Sequence, residues 1–264
     1  MQIETLAQLG DTYDHVYISP HLDDTVISCG GAVAAQLAAG KRVLSVTLST
    51  AAPDPAGPFS ALADEFHGQW KLSAAQAVSA RLAEERTAMA RMPGLDHWWA
   101  GRLDAIYRFP EAYNTRESLF SAPDARDPQF ADLGSLFADL RKRMPGAQFY
   151  GPLGVGSHVD HLIAHAMLRQ VFGADVRFYE DLPYSITASA YQERMAQLAG
   201  EQLTPRAVAI DATLGQKIEA IHAYASQLYE LFGGAAQMEQ QIADYAASVA
   251  PAGARYGERV WRIG

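Results

Sequence analysis

Apolar positions along this chain alternate between two spacings. Short runs rich in β-branched and aromatic residues occur at His15-Val-Tyr-Ile-Ser-Pro20, Arg42-Val-Leu-Ser-Val-Thr-Leu-Ser49, Gln148-Phe-Tyr-Gly151, Val176-Arg-Phe-Tyr-Glu-Asp181 and Ala207-Val-Ala-Ile-Asp211. Each reads as a strand. Between them, Thr25 to Ala39, Ala74 to Met92, 131–143, Asp160 to Phe172, Leu214 to Phe232 and Ala236 to Val249 have helical composition. Gly40, Pro93-Gly94, Pro145-Gly146 and Gly173 supply stops, and Ser73 is positioned as an N-cap. Residues 51–73 (with Pro53, Pro55, Gly57 and Pro58) and 108–130 (with Pro110, Asn114, Pro123, Asp124 and Pro128) read as long loops, a length common in lids and binding segments. Strands alternating with helices predict an α/β fold: a mostly parallel sheet covered on both faces. Gly30 and Gly31, inside the first helix, are expected to permit close packing against the sheet. No internal repeat, low-complexity segment or linker interrupts the pattern, so residues 1–264 are expected to form one domain.

Composition narrows the partners. With 264 residues, 49% hydrophobic and 19% charged, the chain is long enough for a large core. A net charge of −9 argues against nucleic acid or an anionic membrane as the main partner, since polyphosphate binding needs a basic surface. No uninterrupted apolar stretch reaches the roughly 18 residues of a membrane span. Met1-Gln2-Ile3-Glu4-Thr5 lacks the basic start and apolar core of a signal peptide. The single cysteine, Cys29, cannot form an internal disulfide, which fits a reducing compartment. A cytoplasmic protein is expected, and a homo-oligomer is compatible with this composition.

Two segments concentrate the chemistry: Ser19-Pro-His-Leu-Asp-Asp24 and Gly156-Ser-His-Val-Asp-His161. Histidine nitrogen with carboxylate oxygen suits Zn²⁺, and three protein ligands with one open position is the catalytic arrangement. Ligands of open α/β sheets bind outside the carboxyl ends of strands, and both segments follow strands. Convergence would make His21, Asp24 and His161 the ligands of one zinc and Asp23 the general base. His158, ahead of its helix, would act in protonated form on the oxyanion or the departing amine. Asp160 would orient a histidine.

Plainer roles compete. Asp23-Asp24 can be a turn and helix N-cap, and capping could be Asp160's only task. His165 has the spacing of a fourth ligand, with packing or support of the site the commoner role. His15, His67, His97 and His222 are scattered singly and default to surface or core, while Met89 and Met92 at helical spacing default to core.

Pro20-His-Leu-Asp-Asp24 together with His158-Val-Asp-His161 resembles the LmbE-like (PIG-L-type) family of zinc-dependent N-acetylglucosaminyl deacetylases. The resemblance extends along the chain. Arg81-Leu-Ala-Glu-Glu85 is similar to the family's arginine–glutamate helix, Leu103-Asp104 to its substrate-contacting aspartate region, and Lys217 through Ser226-Gln227 to its C-terminal motif. It implies a Rossmann-like three-layer sandwich, one zinc per chain, and hydrolysis of the acetamide of an N-acetylglucosamine-type sugar or conjugate. By motif position it implies the same ligands, base and oxyanion histidine as above, with Arg81 and Asp104 as sugar contacts. The chain departs from the family pattern at Leu22, where proline is commonest, at Thr25, where glutamate is frequent, and at Tyr224, where histidine is usual. These positions border the site and bear on the substrate.

Two alternatives remain at this stage. An amidase cleaving a non-acetyl amide of a related sugar or thiol conjugate would draw its selectivity from the two loops, with Phe59, His67, Trp70, Tyr107 and Tyr113 as walls. A phosphoacceptor receiver module would also pair aspartates after a first strand. This chain is over twice that size, and such a module leaves the second histidine cluster unexplained.

Overall fold

Eight strands form one sheet: β1 (Gln2–Ile3), β2 (His15–Ser19), β3 (Val43–Ser49), β4 (Asp96–Arg102), β5 (Gln148–Pro152), β6 (Arg177–Tyr179), β7 (Leu203–Ala209) and β8 (Gly257–Ile263). The computed structural model describes residues 1–10, 12–70 and 72–264, the side chains of Gln69 and Trp70 excepted. The spatial order is β1-β4-β3-β2-β5-β6-β8-β7. β1 to β6 run parallel, while β8 is antiparallel to both β6 and β7. The chain moves outward from β2 through β3 and β4, then returns to the other side of β2 with β5. That reversal makes the gap between the carboxyl ends of β2 and β5 the topological switch point, where such sheets bind ligands.

Strand alternation sorts the core into two layers. Val16 and Ile18 face one cluster with Phe137, Leu140, Ile163 and Leu168, from helices Gln129–Arg143 and Val159–Phe172. Tyr17 faces the other, with Val26, Ile27, Met89 and Ile221, from helices Asp24–Ala38, Ala74–Ala90 and Leu214–Ile221. Met89 and Met92 are core residues, as their spacing indicates. No helix among the described residues is long and apolar enough to cross a membrane.

Several elements differ from the sequence reading. The 51–73 loop contains a helix, Ala61–Trp70: its prolines stop at Pro58, Ser60 Oγ accepts from the Ala63 N–H at 3.1 Å, and Leu62 and Ala63 are buried. The 108–130 loop holds the short helix Arg116–Leu119, capped by Thr115. The long helix read over 214–232 breaks into Leu214–Ile221 and Ala225–Phe232. The break turns the buried Tyr224 inward, where its hydroxyl donates to Glu85 at 2.6 Å. β4, β8 and the helix Ala188–Gln197 escape the hydropathy pattern. In β8 the reason is visible. Its charged residues are paired inside the fold, Glu258 with Lys217 at 2.6 Å and Arg259 with Glu180 at 2.6 Å, so polarity conceals burial. β7 begins earlier than the 207–211 run and includes Pro205, tolerated because the strand lies at the sheet edge. The paired glycines do allow close packing, although against another helix and β8. A Cβ on Gly30 would lie 3.1 Å from Lys217, and one on Gly31 would lie 2.8 Å from Ile210 and 3.0 Å from Glu258.

Candidate metal centre and its pocket

His21, Asp23 and Asp24 sit at the carboxyl end of β2, and His158 to His161 lie beyond β5, one strand away. Ser19 shapes the first turn: its hydroxyl donates to the His21 carbonyl at 2.7 Å and accepts from the Thr25 N–H at 3.1 Å. The Asp24 carboxylate accepts the His21 N–H at 2.7 Å. Three donor atoms then converge: His21 Nδ1 lies 3.7 Å from Asp24 Oδ2, His161 Nε2 lies 3.4 Å from the same oxygen, and the two nitrogens are 3.2 Å apart. Tetrahedral coordination at about 2.0–2.2 Å separates ligand atoms by roughly 3.3–3.6 Å, so the donor set fits a divalent cation.

Carboxylates behind both rings fix which nitrogen faces this point. His161 Nδ1 lies 2.7 Å from Asp181 Oδ1, and Asp181 Oδ2 accepts the N–H groups of Gly154 and Val155. The turn can wrap Asp181 because glycine accepts the φ of +89° at Gly154 and at Gly156, where a Cβ would strike Tyr184 at 2.5 Å. His21 Nε2 lies 3.2 Å from Asp160 Oδ2. Asp160 is held in turn by the Ala105 N–H at 3.1 Å and by Arg108 at 2.7 Å. Arg108 also grips Asp127 through two bonds of 2.9 and 2.8 Å, and Tyr113 donates to Asp127 at 2.9 Å. A ring that gives one proton to a carboxylate keeps its other lone pair for a cation. His158 also comes within ligand reach of both His21 and His161, and a second grouping joins His21 and His158 to Asp104 and Asp160. Asp160 is held by the Ala105 N–H and by Arg108, so the Nε2 side supports the ring while Nδ1 faces Asp24 and His161.

The field here favours positive charge. Burial works against a charged His21, yet Asp160, Asp104 and Asp24 outweigh it and raise its pKa to about 9. Burial likewise opposes charge on His161, and Asp24 and Asp181 overcome it. For Asp160 burial would favour the neutral acid, but Arg108 and His21 hold the carboxylate well below its usual range.

Asp23 occupies the N-cap position of Asp24–Ala38 but makes no capping bond. Its carboxylate instead meets Arg81 Nη2 at 3.3 Å and lines the pocket. Burial pushes its pKa up, aided by Asp24 and opposed by Arg81. His158, rather than Asp160, caps the second helix: its Nδ1 accepts from the Asp160 N–H at 3.2 Å. That bond assigns the ring proton to Nε2, and burial with the neighbouring His21 drives the pKa well below its usual value. The resting His158 is therefore a neutral donor, not the protonated group expected from sequence.

The pocket has a volume of about 160 Å³ and brings together His21, Asp23, Asp24, Arg81, Asp104, His158 and His161, with Asp160 behind them. Its apolar walls include Phe66, Leu119, Phe120 and Tyr184. Phe59, His67 and Tyr107 pack on one another outside this lining, and Tyr113 is buried on Asp127. The Trp70 side chain lies outside the described residues. His165 does not join the cluster: it hydrogen-bonds the Pro152 carbonyl at 3.1 Å and packs on Phe178. His15 and His222 contact Tyr150 and Glu239, and His97 is buried. Sequence reasoning missed Asp181, Arg108 and Asp127. Asp181 carried a signal, since it closes the strand-like run 176–181 on the same rim.

No protein-family model matches the chain. It is 31% identical over 215 residues to a 2'-N-acetylparomamine deacetylase of Streptomyces fradiae, covering 80% of this chain and 72% of that protein. It is 27% identical over 246 residues to the corresponding protein of Niallia circulans, covering 84% and 83%. Among solved structures, the A40926 pseudoaglycone deacetylase Dbv21 superimposes with a TM-score of 0.76 at 26% identity, covering 96% of this chain and 98% of that one. The N,N'-diacetylchitobiose deacetylase of Pyrococcus horikoshii shares the fold at a TM-score of 0.56 and 18% identity, covering 96% and 84%. The two histidine–aspartate segments meeting at one rim, and a relative above 30% identity over most of its length, identify this chain as a member of the LmbE-like (PIG-L-type) deacetylase family.

Proposed function

We propose that this protein is a zinc-dependent hydrolase that removes the N-acetyl group from an N-acetylated amino sugar or amino-sugar conjugate. The reading rests above all on the His21, Asp24 and His161 donor atoms, 3.2 to 3.7 Å apart beside a pocket of sugar size. It is supported by relatives named for deacetylation of 2'-N-acetylparomamine and by a structural neighbour named as an A40926 pseudoaglycone deacetylase. Those names favour acetyl over other acyl groups as the part removed.

His21, Asp24 and His161 would hold the zinc, which when bound supplies Lewis acidity and makes water acidic near neutral pH. Asp23 takes the proton of the attacking water as its oxygen adds to the acetamide carbonyl carbon. Arg81 keeps Asp23 aimed into the pocket. His158 donates from Nε2 to the oxygen that gains charge. The C–N bond then breaks as the nitrogen receives the proton carried by Asp23. The remaining proton of the nascent acid passes to the freed amine, so acetate departs beside an ammonium group. A positioned base contributes about 10²–10⁴-fold, with further stabilisation from the oxyanion donor. Arg81 and Asp104 contact the sugar, while Asp160 and Asp181 hold the ligand rings.

Metal analysis coupled to acetate detection tests the reading. The purified protein is expected to hold one equivalent of zinc and to release acetate from N-acetylglucosaminides, and His161→Ala to lose both. A folded His161→Ala protein that keeps its metal and its activity would overturn the ligand set.

A further inference from the structure

Arg81 and Gln227 form one side of the catalytic pocket. Both residues also line a second hollow of about 130 Å³, whose other walls are Leu72, Ala77, Ala80 and Ser226. This hollow lies between helices Ala74–Ala90 and Ala225–Phe232. Glu84 sets their spacing, because its carboxylate accepts both the N–H and the hydroxyl of Ser226 at 2.7 Å. The space is thus formed before any ligand arrives.

Its surroundings are unusually apolar for a surface. Among the described residues only Met1, Leu72 and Tyr229 are large hydrophobic side chains left exposed. Met1 is the first residue. Leu72 is a wall of the hollow, and Tyr229, 80% exposed, follows Ser226 by three positions and so shares its helix face. Tyr229 is not itself a wall of the hollow, but its i,i+3 spacing from Ser226 places an exposed aromatic ring one helical step from that wall. Exposed apolar groups beside a hollow mark a contact surface. The volume is close to the ~150 Å³ cavity that accommodates one benzene ring.

We propose that this hollow is a second subsite, which receives an apolar or aromatic group joined to the amino sugar, with Tyr229 beside it. The proposal rests on the deacetylase reading and narrows its substrate to conjugates whose aglycone is apolar next to the sugar. One ring stacked on Tyr229 and lodged against Leu72, Ala77 and Ala80 corresponds to a roughly five- to twentyfold gain in affinity.

Phenyl and methyl N-acetylglucosaminides separate the outcomes. The zinc-loaded wild type is expected to show a KM for the phenyl glycoside roughly five- to twentyfold below that for the methyl glycoside. Ala80→Trp, which fills the hollow, and Tyr229→Ala should each remove most of that preference and leave kcat on the methyl glycoside unchanged. Both positions are exposed, so neither change disturbs the core. Equal KM values in the wild type, or a preference that survives both substitutions, overturn the subsite. Release of no acetate from either glycoside sinks the deacetylase reading instead. Calorimetric Kd values for the two glycosides, compared with Ala80→Trp, then decide the subsite independently.

Discussion

The back wall and the front rim of the pocket are built on opposite principles. Behind the histidines, Asp127, Asp160, Asp181 and Arg108 are almost wholly withdrawn from water and joined by bonds of 2.7 to 3.2 Å. At the rim, Arg116 pairs with Glu65 at 3.0 Å and reaches toward Glu230 at 3.7 Å, with all three side chains substantially exposed. Buried charges hold position because leaving any of them unpaired is costly, whereas exposed pairs are screened and exchange freely with water. The contrast is between a rigid wall behind the histidines and an adaptable edge at the mouth of the pocket.

Three substitutions test the contrast in falling order of effect. Asp23→Asn keeps the shape of the back wall but removes the proposed base, so kcat should fall about 10²–10⁴-fold while the metal content expected for the wild type, one equivalent of zinc, is retained. Steady-state kinetics with metal analysis check this, and near-normal kcat would remove Asp23 from the reaction. Arg108→Met leaves Asp127 and Asp160 buried without their shared cation. It should cost about 3–5 kcal/mol in urea unfolding, and a loss below about 1 kcal/mol would show the network to be dispensable. Arg116→Ala at the rim should change stability by less than about 1 kcal/mol, an effect that added salt reduces further. A larger loss would erase the distinction between wall and rim.

The histidine–aspartate cluster in front of the wall was legible in the sequence because metal chemistry restricts residue type and the strand rim restricts position. His21, Asp24 and His161 could be paired across 140 residues on those grounds alone, and the parallel sheet followed from its apolar runs. The supporting network was less legible. Arg108 and Asp127 sit in a stretch that reads as loop, and no local pattern says that an arginine there will be buried between two aspartates. Pocket walls failed for a related reason: Phe59, Tyr107 and Tyr113 are aromatics of the same segments as Phe66 and Phe120, and only packing decides which face inward. Charged positions inside β8 concealed a strand, and Tyr224 broke a helix whose periodicity was otherwise continuous.

The margins of the sheet carry a consequence for self-association. One outermost strand, β1, is only two residues long, and the other, β7, places Pro205 where an amide donor would be needed, beside the exposed Thr204 and Arg206. Neither border offers an uninterrupted ladder for an incoming strand. An incoming strand therefore finds no continuous template at either border, which guards the sheet against the stacked growth that leads to fibres.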